Sequence, residues 1–235
     1  MSVSFRLFGA APFAAIALMA ATSTTVAAPA AVDLVFYAPH FAKIENGSTV
    51  SYRFIRKNED PKGAPSFEDE INVKVGPKGA EDSLQVDLFT GARAATLPNM
   101  SKTGNPVIVA VMEQDVKDMQ KALGGSPFYF RNRLREALSA QQPAEPTKIE
   151  FGGKTVDAWK VSFKPFENDE QNKGKLREYA GRSYELTFSD AVPGGLYALK
   201  AVTPKADGGE LVSEELVVKA DVSKVSAEPA GGAAK

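Results

Sequence analysis

The sequence predicts an α+β protein, mainly β, in which one large curved antiparallel sheet, an incomplete barrel, is accompanied by a central helical pair as lid or plug. Two observations predict this class. In the first and last thirds of the chain apolar and polar residues alternate, which is typical of half-buried strands. In the middle third the apolar residues recur every three or four positions, which is typical of helices. An order of strands, two helices and strands, with about eight to ten strands, fits a sheet packed against helices.

The first third predicts a meander of three antiparallel strands. Val32 to Phe41 is mostly apolar and indicates an edge strand or a strap. The first alternating run covers 50–55, and two further runs follow at 71–75 and 83–88. Because turn-forming glycines and prolines separate these runs, consecutive antiparallel pairing is the simplest interpretation.

The middle third predicts two helices. Apolar residues from Pro106 to Leu123 form one stripe, Asn105 is a suitable cap, and Gly124-Gly125 is a suitable stop. The Val-rich start, Val107 to Val111, is also compatible with a strand that leads into a shorter helix. The second helix is predicted from Ser126 to Leu138, with Ser126 as its cap.

The last third returns to alternation and predicts further strands. A hairpin with a Gly-Gly turn joins 148–151 to 156–163. A charged loop is expected at Glu167 to Lys175. Three more strands follow, at 184–188, 196–202 and 211–218. The alternating runs predict that one continuous core contains the following residues: Tyr52, Phe54, Val73, Val86, Trp159, Leu186 and Phe188.

The N-terminus reads as an export signal. Residues 1–28 contain one charge, Arg6, an apolar stretch from Leu7 to Met19, and small residues that suit signal peptidase, with cleavage favoured near Ala27. The apolar stretch is shorter than the roughly 20 residues that span a bilayer, which disfavours a membrane anchor. We therefore expect a cleaved signal peptide at 1–28, a periplasmic protein and no transmembrane anchor after processing.

Composition narrows the remaining possibilities. We expect one β-rich domain at 32–222 and a disordered Ala- and Gly-rich tail at 223–235. The leader holds one of the 28 basic side chains and none of the 29 acidic ones, so the rest of the chain carries a net charge of −2. No nucleic-acid partner is expected, because phosphate binding needs a basic excess. The absence of cysteine excludes disulfides and a lipid-modified N-terminal Cys.

The order of these elements resembles that of the periplasmic lipoprotein carriers LolA and LolB and of the exported proteins that share their incomplete barrel. The resemblance rests on strands, a central helical insertion, further strands, a leader and a similar length. It covers most of the mature chain and involves no specific motif. It implies a periplasmic carrier fold, and no functional residue is transferred from it.

The segment 128–135 is the most distinctive in the mature chain, because three aromatic residues precede three arginines. One interpretation is a site for an amphiphile, in which the aromatics contact an apolar tail and arginine forks bind an anionic head. The other is an amphipathic lid whose aromatics are core and whose arginines pair with acidic loops. The first alternating strand adds Phe54 to this segment. The candidate ligand-binding residues are therefore Phe54, Phe128, Tyr129, Phe130, Arg131 and Arg133.

We expect a protein without enzymatic activity, metal or cofactor. His40 is the only histidine, so a multi-His metal site is excluded. We interpret His40 as a surface residue. Acidic residues at 68–70 and 167–170 lie in charged runs that indicate a solvated surface. The sequence therefore favours a periplasmic binding or carrier protein for a lipid or acyl chain. The alternative is an envelope structural or interaction protein with a packed core, no ligand and a protein partner.

Overall fold

The structure is a computed structural model that describes residues 27–140 and 143–224. Most of the predicted leader, and the predicted tail from residue 225 onwards, lie outside the described residues. The helices are α1 (Pro106–Leu123), α2 (Pro127–Ser139) and α3 (Lys173–Leu176), with short helical turns at Asp33–Tyr37, Gly91–Arg93 and Arg177–Gly181. The strands are β1 (Ser48–Asn58), β2 (Phe67–Val75), β3 (Leu84–Leu88), β4 (Ala95–Met100), β5 (Glu145–Phe151), β6 (Lys154–Phe163), β7 (Ser183–Phe188), β8 (Leu196–Pro204) and β9 (Glu210–Lys224).

These strands form one antiparallel sheet with the order β4-β3-β2-β1-β9-β8-β7-β6-β5. Strands β4 and β5 are its two edges, so the sheet is not closed. Neighbours in sequence pair within each half, and the pairing of β1 with β9 joins the two halves into one sheet. The helices α1 and α2 lie between β4 and β5 in the chain. The prediction of a single antiparallel sheet is confirmed.

One face of the central strands is buried. Phe54, Leu216, Leu199 and Leu186 lie opposite one another across β1, β9, β8 and β7, and each is at most 1% exposed. Trp159 is only partly buried and packs against the same core. The other residues predicted to share one core are confirmed as buried: Tyr52, Phe54, Val73, Val86, Leu186 and Phe188.

Helix α1 has the predicted bounds, and α2 follows the predicted cap Ser126 and ends at Ser139, one residue beyond the predicted end. The side chain of Asn105 accepts a hydrogen bond from the N–H of Val107 at 3.0 Å, and Ser126 caps α2 in the same way. Gly124 has a positive φ of 75° and ends α1. The Val-rich start of α1 is helical, so the strand alternative is wrong. No helix within 27–140 and 143–224 has the length and apolarity needed to cross a membrane.

Of the two alternatives for the segment at 32–41, an edge strand or a strap, the edge strand is wrong. It contains the helical turn Asp33–Tyr37 and then packs against the core, where Phe41 is buried. The ring of His40 stacks on Phe188 with 5.6 Å between ring centroids. His40 is therefore half-buried, and its interpretation as a surface residue is wrong. The apolar partner of the His40 ring is Phe188, which lies far away in the chain, so the local sequence around His40 does not reveal this contact.

Three further features of the secondary structure differ from the predicted ones. Strand β4 was not predicted, because Ala95–Met100 lacks alternation and contains Pro98, which a sheet tolerates on an edge strand. Strand β9 extends to Lys224, two residues into the predicted tail. The charged loop at 167–175 overlaps the short helix α3.

Candidate functional site

Helix α2 is covered by residues 164–176, here named the cover segment, which includes α3. The ring of Phe166 stacks on that of Tyr129 and meets that of Phe130 edge-on, with 6.2 Å between centroids in both cases. Phe130 and Phe166 are buried. Side chains from the first turn of α2 and from the cover segment therefore form one aromatic cluster.

Asp169 fixes the cover segment to α2. One of its carboxylate oxygens accepts a hydrogen bond from the hydroxyl of Tyr129 at 2.5 Å and lies 2.9 Å from Nε of Arg133. The other oxygen accepts from the Asn172 amide at 3.0 Å. The Tyr129 hydroxyl lowers the pKa of Asp169, while burial, together with this carboxylate, raises the pKa of Tyr129 to about 12. At neutral pH the aspartate is charged and the tyrosine is protonated.

A cavity of about 320 Å³ lies between the end of α1, the start of α2 and the short helix α3. We name it the turn cavity. Its volume is at the lower end of the roughly 300–1,000 Å³ found for small-molecule sites. Four of its side chains are large and apolar or aromatic, and Lys175 is its one charged side chain among the described residues. The lining consists of Leu123, Gly124, Gly125, Ser126, Tyr129, Phe130, Asn172, Lys175 and Leu176.

Two of the predicted ligand-binding residues, Tyr129 and Phe130, line the turn cavity. Phe128 does not line it and is 70% exposed. The guanidinium of Arg131 lies 5.6 Å from the centre of the Phe128 ring, and its Nε donates to both carboxylate oxygens of Glu113 on α1, at 2.7 and 2.8 Å. Arg131 thus links α2 to α1.

The other two predicted residues also lie outside the lining of the turn cavity. Arg133 pairs with Asp169 and, at 3.0 Å, with Glu136. Phe54 belongs to a separate aromatic cluster, with its ring 5.5 Å from Phe67 and 5.2 Å from Phe89. The structure therefore brings Tyr129 and Phe130 together at a cavity and separates Phe54 from them.

A second cavity, of about 310 Å³, lies at the other end of α2, against β6 and β7. Its lining includes carboxylates and ammonium groups that pair with each other. Lys160 pairs with Glu145 at 3.2 Å, and Lys164 with Glu167 at 3.5 Å. Because these charges already neutralise each other, the second cavity should attract a charged ligand less strongly than the turn cavity does.

Sequence reasoning missed a buried ion network between α1 and the sheet. Arg182, the residue directly before β7, is fully buried and lies 2.8 Å from both Asp115 on α1 and Glu214 on β9. Glu214 also pairs with Arg56 on β1, and Arg56 in turn pairs with Asp118 on α1. Five charged side chains, from α1, β1, β9 and the connection before β7, therefore form one network.

Neutral groups complete this network. The hydroxyl of Thr203 accepts a hydrogen bond from Arg182 at 2.8 Å, and the hydroxyl of Tyr184 bonds to both Arg182 and Asp115. Burial raises the pKa of Asp115 to about 6, and it also raises that of Asp118. These carboxyl groups are therefore costly to ionise despite the two arginines.

The sequence does contain a signal for this network. Arg56 continues the inward alternation of Val50, Tyr52 and Phe54. Asp115 lies three residues after Met112, on the apolar stripe of α1. A charged residue at an inward position of a strand or helix predicts a buried partner of opposite charge. Without knowledge of which strands are adjacent, the partner itself was not predictable.

Comparison with protein-family models gives no match, and comparison with curated proteins gives no significant match. Among the residues that the structure describes, no three His, Asp or Glu side chains are arranged to hold a metal ion. The turn cavity and its lining are therefore the main basis for a functional proposal.

Proposed function

We propose that this chain is an exported, non-enzymatic binding or carrier protein for an apolar or amphiphilic ligand such as a lipid or acyl chain. The observation that carries the proposal is the turn cavity, about 320 Å³ in volume. Leu123, Phe130 and Leu176 supply apolar surface, and Asn172 and Lys175 supply polar groups. A mainly apolar pocket with few polar groups is the usual form of a small-molecule site.

In this proposal the helical pair and the cover segment act as a lid. The cover segment is attached to α2 by the Phe166 cluster and by Asp169. Helix α2 is attached to α1 through Arg131 and Glu113. Release of the Asp169 contacts would open a path to the apolar wall. The arginines predicted to bind a head group would then act by holding the lid together.

The proposal also includes a curved sheet that forms an incomplete barrel, and a periplasmic location. The open nine-stranded sheet with one buried face supports the first element. Arg6 and the apolar stretch from Leu7 to Met19 support the second. The resemblance in element order to LolA and LolB is consistent with both elements and remains part of the proposal.

The direct experiment is native mass spectrometry, with lipid extraction, on protein purified from its own host. We expect a retained amphiphile on the wild-type protein. Leu123→Trp should fill the turn cavity and remove the retained mass. Leu211→Trp is the matched control, because Leu211 is also a partly buried leucine at the margin of the core but lies outside this cavity. A wild-type protein that carries no amphiphile and binds no fluorescent fatty acid would refute the carrier function.

One observation favours a second candidate, an envelope interaction protein without a ligand. The sheet has two open edges, β4 and β5, which can pair with a strand of another protein. Each edge strand contains a proline, Pro98 or Pro146, which removes one backbone donor and limits such pairing. This second function therefore has weaker support than the carrier function.

A further inference from the structure

The charge of the turn cavity has one sign. Lys175 is the one charged residue of the lining, and no Asp or Glu belongs to it. Glu178, the nearest acidic residue after Lys175 in the chain, lies outside the lining. A ligand that enters this cavity therefore meets apolar surface and a positive charge.

The ammonium group of Lys175 is also free to bind. Of the three cations in 173–177, Lys173 pairs with Glu170 at 3.3 Å, and Arg177 donates to the backbone carbonyl of Ala122 at 3.0 Å. Within the described parts of the chain, the Lys175 side chain has neither an ion pair nor a hydrogen bond. By contrast, Arg131 and Arg133 of α2 are both held by carboxylates.

We propose that the turn cavity binds a single-chain amphiphile with an anionic head, such as a fatty acid, with its head at Lys175. The inference rests on the proposed carrier function and adds the ligand class. The tail would contact Leu123, Phe130 and Leu176, which are the apolar walls. A volume of about 320 Å³ suits one chain segment better than the two chains of a phospholipid.

The test compares two amphiphiles with the same chain and opposite head charges. Dodecanoate and dodecyltrimethylammonium, each below its micelle concentration, are titrated into the protein in a calorimeter at low and at high salt. We expect wild-type protein to bind dodecanoate more tightly. Lys175→Gln should weaken dodecanoate binding about threefold to fivefold at low salt, because a partly exposed ion contact contributes on the order of 1 kcal/mol.

Lys173→Gln is the matched control, since it removes a neighbouring charge that is already paired with Glu170. It should leave both affinities unchanged, and high salt should reduce the effect of Lys175→Gln. Equal wild-type affinity for the two amphiphiles, or an unchanged affinity in Lys175→Gln, overturns the head-group inference. If Leu123→Trp still abolishes binding in that case, the carrier function stands. If wild-type protein binds neither amphiphile, the head-group inference fails, and the carrier function fails with it if the protein also retains no amphiphile from its host.

Discussion

The guanidinium of Arg182 and the carboxylate of Asp115 form an ion pair of 2.8 Å that joins the residue directly before strand β7 to helix α1 inside the protein. Both side chains are almost completely buried. Removing such charges from water costs several kcal/mol for each ion, so the pair persists only with further hydrogen bonds. Glu214 and Thr203 supply these bonds to Arg182. The network therefore fixes the position of α1 on the sheet.

Loss of Arg182 should strongly destabilise the fold. In Arg182→Met, Asp115 loses its buried cation, while Glu214 loses one of its two arginine partners in the network and keeps Arg56. An uncompensated buried charge typically costs about 3–5 kcal/mol, and we expect the free energy of unfolding to fall by this amount. Urea denaturation followed by circular dichroism measures it.

The matched control is Arg53→Met on β1. Arg53 also pairs with a glutamate, Glu68, at 2.6 Å, but both side chains are more than half exposed. Its loss should barely change the urea midpoint, because water already screens the pair. Similar effects of the two substitutions would mean that the Arg182 network contributes no more than a surface pair.

The raised pKa of Asp115 predicts a dependence of stability on pH. Its pKa is about 6 in the folded protein and has an ordinary value of 3.8. The folded state therefore binds this proton more tightly than the unfolded state does. The contribution of Asp115 to the free energy of unfolding is largest in acid, falls as the pH rises from about 4 to about 6, and is constant above that, a loss of up to about 3 kcal/mol.

Other carboxylates contribute in the opposite direction, because the pKa values of Asp69 and Asp87 are lowered. The useful measurement is therefore the difference between wild type and Asp115→Asn across this pH range. The substitution should remove the fall and raise the stability at neutral pH relative to that in acid. A difference that does not vary between pH 4 and 6 would show that Asp115 titrates normally.

Much of the fold was predictable because the spacing of apolar residues along the chain matches the burial of those residues in the structure. The stripe of α1 and its cap Asn105 were predicted, since both depend on neighbouring residues in the chain. The pairing of β1 with β9 was not specified, because nothing in either strand indicates a partner more than 150 residues away. The network of Arg56 and Glu214 follows from that pairing, and it was missed for the same reason.

The candidate site was predictable only in part. The aromatic turn of α2 was singled out, and Tyr129 and Phe130 line the turn cavity. Lys175 was not singled out, because a lysine in a charged loop has no distinctive pattern. Its position depends on how the cover segment folds back on α2, and a long-range contact through Asp169 determines that arrangement.

The lid role predicts a specific effect of Asp169 on motion. Asp169→Asn keeps the shape of the side chain but removes the charge that holds Tyr129 and Arg133. Because a hydrogen bond to a charged group contributes roughly 1.5–3 kcal/mol, amide hydrogen exchange in the cover segment should become about tenfold faster or more. The pKa of Tyr129 should fall from about 12, since part of its rise comes from this carboxylate.

Glu170→Gln provides the control, because Glu170 is the next residue and pairs with Lys173 on the surface. It should leave both exchange and the Tyr129 titration unchanged. If the cover segment is a lid, Asp169→Asn should also speed dissociation of dodecanoate, whereas its affinity should change less, since no contact to the ligand is removed. Faster exchange with an unchanged dissociation rate would instead mean that the cover segment opens without controlling access to the turn cavity.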